Sequence, residues 1–142
     1  MPLHEDGTLK TVKTPGPDHP ITIERQGGRV VVKVGQHVVA DTRDALTLRE
    51  SDYPAVRYIP RDDVDMTRLQ RTDHKTYCPY KGACAYFSIP IGGERLNNAV
   101  WTYEAPHAAV ADIEHHLAFY PDRVEVVIET PDAGAGGDGA GI

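Results

Sequence analysis

Apolar and polar residues alternate with a period of two through the first half of the chain. Residues 21–25 read Ile-Thr-Ile-Glu-Arg, and residues 29–34 put Val30, Val32 and Val34 on one face. The Gln26-Gly27-Gly28 step between these runs offers a hairpin turn. Gly35-Gln36 turns the chain again into residues 37–41, and Leu46 and Leu48 share a face in the run that ends at Glu50. Val56 to Pro60 is a further short strand, stopped by its proline. The pattern predicts a β-meander of short strands.

The second half is mixed. Asp62 or Asp63 is placed to cap a short helix that turns Val64 and Leu69 inward. Residues 71–83 read as a loop. Residues 84–89 and 99–103 are predicted to pair as strands across the Pro90–Asn98 connection. Val110, Ile113 and Leu117 recur at helical spacing behind Pro106, which predicts a C-terminal helix over about 107–119. Residues 123–129 close the pattern as a last strand. Strands come in runs and do not alternate with helices, which disfavours a parallel α/β sheet. The expected class is mainly β (α+β): an antiparallel meander and hairpins with one C-terminal helix and one short helix. The three prolines of residues 14–20 mark residues 1–17 as an irregular N-terminal arm. A single domain is expected over 18–130, followed by a Gly/Ala-rich tail over 131–142 expected to be disordered.

Composition narrows the function classes. A 142-residue chain suits one domain with its own core. The net charge of −6 argues against a nucleic-acid partner. There is no run of eighteen apolar residues, so no membrane span is expected. Residues 1–10 lack a basic start and an apolar run, so a signal peptide is not expected either. The two cysteines are then expected as reduced thiols, with the cytoplasm as the compartment. Neither GxGxxG nor GxxxxGK[ST] occurs.

Candidate chemistry is concentrated in residues 76–89, TYCPYKGACAYFSI, which hold both cysteines and three of the seven tyrosines. Every aromatic residue lies between Tyr53 and Tyr120. Tyrosine hydroxyls need partners when buried, so an aromatic-walled pocket competes with an ordinary second core layer as the explanation.

These residues carry a resemblance. The ordered set Tyr58-x-Pro60-Arg61, Cys78-Pro79-Tyr80-Lys81-Gly82, Trp101-x-Tyr103 and Phe119-Tyr120 resembles the domain of unknown function 427 family over about residues 20–128. The resemblance implies a small β-rich domain similar to the β-tent group, which includes zinc-binding domains and methionine sulfoxide reductases. The family has also carried a nucleotidyltransferase-like label. This chain has neither a GS motif nor a spaced aspartate pair of the usual kind. The resemblance further implies that Cys84 stands where family members usually carry another residue, which counts against a mechanism needing both thiols.

Individual residues have a chemical and a structural reading. Cys78, three residues before Lys81, is a nucleophilic or redox thiol, or a small packed hydrophobe. Cys78 and Cys84 are spaced C-x5-C with His74 nearby, which is a poor zinc pattern, so neither a metal nor a cofactor is expected. Gly82 allows a positive φ, so the turn can present Lys81 to an anion. Arg61 suits bidentate recognition of a carboxylate or phosphate, or else pairs with Asp63 or Glu50. Glu50 is a candidate base, or the salt-bridge partner of Arg61 or Lys81. Tyr58, Tyr80, Tyr86, Trp101 and Tyr103 are the candidate pocket walls. Three functions stay open: a thiol-dependent enzyme using Cys78 and Glu50 on a small anionic molecule, a non-catalytic module binding a ligand or peptide, and a homodimerising structural domain.

Overall fold

The computed structural model describes residues 11–129, the side chains of residues 92 and 95 excepted. Two antiparallel sheets make the fold, so the mainly β reading holds. The strands are β1 (Ile21–Arg25), β2 (Arg29–Val34), β3 (His37–Thr42), β4 (Leu46–Glu50), β5 (Val56–Pro60), β6 (Gln70–Cys78), β7 (Gly82–Ser88), β8 (Val100–Thr102), β9 (His116–Phe119) and β10 (Glu125–Glu129). The larger sheet runs β1-β4-β5-β9-β8-β7-β6 and the smaller β10-β2-β3. Among the described residues, no helix is long and apolar enough to cross a membrane.

The first-half strands sit where the alternation predicts, but they are not a meander. β1 pairs with β4, from Ile21↔Glu50 to Arg25↔Leu46, whereas β2 pairs with β3 and β10. Gln26-Gly27-Gly28 is therefore a crossing between two sheets and not a hairpin. Gly27 and Gly28 both take positive φ there, at 71° and 68°. The Gly35-Gln36 hairpin does form, between Val34 and His37.

The smaller sheet packs on one face of the larger. Val30, Val32, Val39 and Ala40 meet Ile59, Phe87, Val100, Leu117 and Phe119 in one buried cluster. A second cluster lies on the other face, where Leu48, Tyr58, Cys84, Tyr86, Tyr103 and Ala118 meet Val110 and Ile113. Strand alternation assigns neighbours to opposite cores: Tyr86 to one and Phe87 to the other, Ala118 to one and Leu117 to the other.

That division overturns the predicted C-terminal helix. Residues 108–113 form two 3₁₀ turns broken at Val110 (φ −126°), and residues 116–119 are the strand β9. His115, at φ 59°, turns the chain between them. Val110 and Ile113 serve one core and Leu117 the other, so the helical spacing spans two layers and is no single stripe. β9 is needed between β5 and β8, and that pairing prevails over a weak helical propensity.

The predicted short helix is likewise two 3₁₀ turns, Arg61–Asp63 and Met66–Arg68, with extended Val64 between them bridging Ala40. The side-chain cap is Asp65, which accepts from the Thr67 amide, and not Asp62 or Asp63. The predicted loop over 71–83 is mostly strand: β6 runs to Cys78 and pairs with β7. Its polar residues suit an edge strand exposed to solvent. The Gly/Ala-rich tail and residues 1–10 of the arm lie outside the described residues. Residues 11–17 of the arm and the two that follow run against the β6–β7 turn, where the Lys13 amide donates to the Pro79 carbonyl (2.9 Å) and the Tyr77 hydroxyl to the Thr11 carbonyl (2.6 Å).

Candidate functional site

The β6–β7 turn is the sequence Cys78-Pro79-Tyr80-Lys81, closed by the Lys81 amide on the Cys78 carbonyl (3.2 Å). Pro79 occupies the second position, where a fixed φ near −65° is favoured. The Lys81 carbonyl accepts from the His107 amide (3.0 Å), so the segment before the 3₁₀ turns holds the turn from its other side. Gly82, at φ 117°, completes the bend with backbone from Ala105 to His107 close against it.

This turn brings Lys81 to the end of β4. Its Nζ donates to Glu50 Oε1, while the His19 ring N–H, at Nε2, donates to Glu50 Oε2 (2.7 Å). Both members of the Lys81–Glu50 pair are nearly buried, with side-chain exposures of 13 % and 12 %. Burial pushes the Glu50 carboxyl up, but the hydrogen bonds from Lys81 and His19 outweigh it, and the group sits below its ordinary value. His19 is itself held by stacking on Tyr80 (4.0 Å between ring centroids, 9° between planes). The Lys81 Nζ also stands 6.0 Å from the centre of the Tyr103 ring.

Beside this pair the larger sheet opens. β5 pairs with β4 over Val56–Tyr58, but with β9 only at Ile59↔Leu117 and Pro60↔His116. At that break lies a cleft of about 540 Å³. Val30, Val32, Val126 and Ile128 of the smaller sheet line it from one side, and Leu48, Val56 and Trp101 from the other. The lining therefore draws on both faces of the sheet. Glu50, Arg57 and Lys81 supply its charged groups. A second depression of about 630 Å³, bordered by Arg71, Asp73, Glu94 and Asn97, is a polar and open hollow. It lacks the apolar enclosure that ligand sites share.

Of the candidate wall aromatics Trp101 lines the cleft, whereas Tyr58, Tyr80, Tyr86 and Tyr103 do not border it. Tyr58, Tyr86 and Tyr103 are buried within the chain, and burial pushes all three phenols up. Ala118, between β5 and β8, is small enough to let the Trp101 indole N–H reach the Tyr58 hydroxyl (3.2 Å). The Tyr86 hydroxyl bonds that of Thr76 (2.9 Å). Cys84 is buried among these hydroxyls; burial pushes its thiol up, against hydrogen bonds from Tyr86, Thr76 and Tyr103. Cys78 is half-buried and packs against the same cluster. Tyr58→Phe removes the acceptor of the Trp101 indole. It is expected to cost about 1 kcal/mol in urea unfolding and to shift Trp101 emission in the folded state.

Arg61 does not join Lys81. Its guanidinium lies 6.0 Å from the Phe87 ring and 3.9 Å from Glu104, which Arg71 holds in a two-bond fork (2.9 and 2.7 Å). The hydrogen bonds from Arg71 keep the Glu104 carboxyl low. Glu104 follows Tyr103, and Phe87 follows Tyr86, so this cluster stands on the opposite face from the tyrosines. Three residues that the sequence pattern does not single out do belong to the site: His19, Tyr53 at the rim, and Arg57. Arg57 left a readable signal. Alternation in β5 puts it on the row of buried Ile59, an unusual place for a cation.

The geometry defines a small antiparallel β protein with a largely apolar cleft beside the β5–β9 pairing and a nearly buried ion pair at the cleft wall. The pattern of the domain of unknown function (DUF427) matches residues 22–130, and the chain belongs to that family. Comparison with curated proteins finds no match.

Proposed function

We propose that this is a cytoplasmic small-molecule-binding domain whose ligand, an anion, occupies the cleft between β5 and β9. The observation that carries the reading is the cleft itself. It is concave, mainly apolar and of ligand size, with a few fixed charged groups in its wall. The Lys81–Glu50–His19 array is rigid, being tied to the β6–β7 turn, the end of β4 and the stacked Tyr80. Free Cys78 and Cys84 suit a reducing compartment. In this reading Cys78 packs against the buried tyrosine cluster and performs no chemistry.

Trp101, the only tryptophan, lines the cleft and reports its occupancy directly. Titration with the apolar anion anilinonaphthalene sulfonate is expected to give a saturable, one-site change in Trp101 emission. Val126→Phe, which fills the cleft from β10, should abolish that change, and Cys78→Ser should leave it intact. Absence of saturable binding, or equal binding to Val126→Phe, would sink the reading.

A further inference from the structure

We propose that the natural occupant is an unbranched apolar chain ending in one negative charge, a fatty-acid-like carboxylate, and that Arg57 meets that charge. The inference rests on the ligand-binding reading above and names the ligand class. Three charged side chains line the cleft. Lys81 and Glu50 neutralise each other, and His19 fills the second Glu50 oxygen. Lys81 therefore has no charge to spare for a ligand. Arg57 is different. Its Nε donates to Gln26 Oε1 (3.0 Å), an oxygen that also accepts from the buried Thr47 hydroxyl. That anchor is neutral, and among the described residues no carboxylate forms an ion pair with Arg57.

A half-buried guanidinium without a counter-charge is costly, and an anion drawn into the cleft offsets the cost. With Nε anchored, Nη1 and Nη2 remain as two donors for a carboxylate. The remaining lining specifies the rest of the ligand. Val30, Val32, Val56, Ile59, Val126 and Ile128 offer no hydrogen bonds and favour an alkyl body. Because the lining reaches from residues of one face of the sheet to residues of the other beside the short β5–β9 pairing, an extended chain suits it better than a broad ring system.

The test is titration of the full chain with octanoate and with 1-octanol, followed by Trp101 emission. Octanoate is expected to bind wild type at least tenfold more tightly than octanol. Arg57→Gln should weaken octanoate about tenfold or more while leaving octanol unchanged. Arg61→Gln, on the other face, should change neither. If octanoate and octanol bind wild type alike, or if Arg57→Gln weakens both equally, the assignment of the charge to Arg57 is overturned while the cleft remains a ligand site. If neither compound nor the naphthalene probe binds, the ligand-binding reading itself fails. The wild-type comparison of acid and alcohol needs no variant, so it decides the question even if Arg57→Gln does not fold.

Discussion

Lys81→Met is expected to lower the unfolding free energy by about 3 kcal/mol, the largest single loss from any polar side chain of the site. The pair it breaks is nearly buried, so Glu50 would be left with only His19 to offset its desolvation. An exposed pair of the same length would contribute no more than about 1 kcal/mol. Removing both charges, in Lys81→Met with Glu50→Leu, should restore most of the loss, because the penalty comes from the orphaned charge. Urea unfolding of the two single variants and the double variant measures the coupling.

The same pair makes stability depend on acidity. The Glu50 carboxyl is held below its ordinary 4.5 in the folded protein. A depressed carboxylate contributes stability that is fully present above the unfolded value and is lost as pH falls through the folded value. Wild type should therefore lose this contribution once pH drops below 4.5, and its advantage over Lys81→Met should shrink in acid. A difference that grows in acid would contradict the ion-pair assignment.

Gly82→Ala is expected to cost about 2 kcal/mol and to disturb Lys81 at the same time. The backbone stands at φ 117°, which L side chains rarely adopt. An added Cβ would lie 3.4 Å from the Ala105 carbonyl oxygen and 3.6 Å from the His107 amide nitrogen, ordinary contact distances, so the loss comes from the backbone angle. The His107 amide that bonds the Lys81 carbonyl lies beside Gly82, so a backbone shift there reaches the residue that holds Glu50. Gly35→Ala is the control. Its φ of 60° lies in the left-handed region that L residues do enter, and nothing lies within 4 Å of the point where its methyl group would stand, so about 1 kcal/mol is expected. Equal losses at the two glycines would remove the φ of 117° as the explanation.

The strands of the first half were legible because alternate residues on each serve one core, Val30 and Val32 on β2 and Leu46 and Leu48 on β4. Burial itself is not confined to that row, since Val31 and Thr47 are covered as well. The turn chemistry of Cys78-Pro79-Tyr80-Lys81-Gly82 was legible too, since proline and a positive-φ glycine have few other uses together. The spacing of Val110, Ile113 and Leu117 misled, because residues serving two different cores can copy the period of a helix facing one. β6 was missed because an edge strand exposed to water has no apolar row to betray it.

By itself the sequence determined which residues prefer extended backbone, where the chain must bend, and that Glu50, Lys81 and Trp101 are chemically notable. Only the tertiary structure decided their partners. Ion pairing depends on which strand ends meet in space, and the crossing of Gln26–Gly28 between sheets set that order. It placed Lys81 on Glu50, sent Arg61 to Glu104 on the opposite face, and left Arg57 in the wall of the cleft without a counter-charge among the described residues. Local pattern carries the period of an element. Which charges are neutralised, and which remain to meet a ligand, is a property of contacts between residues far apart in the chain.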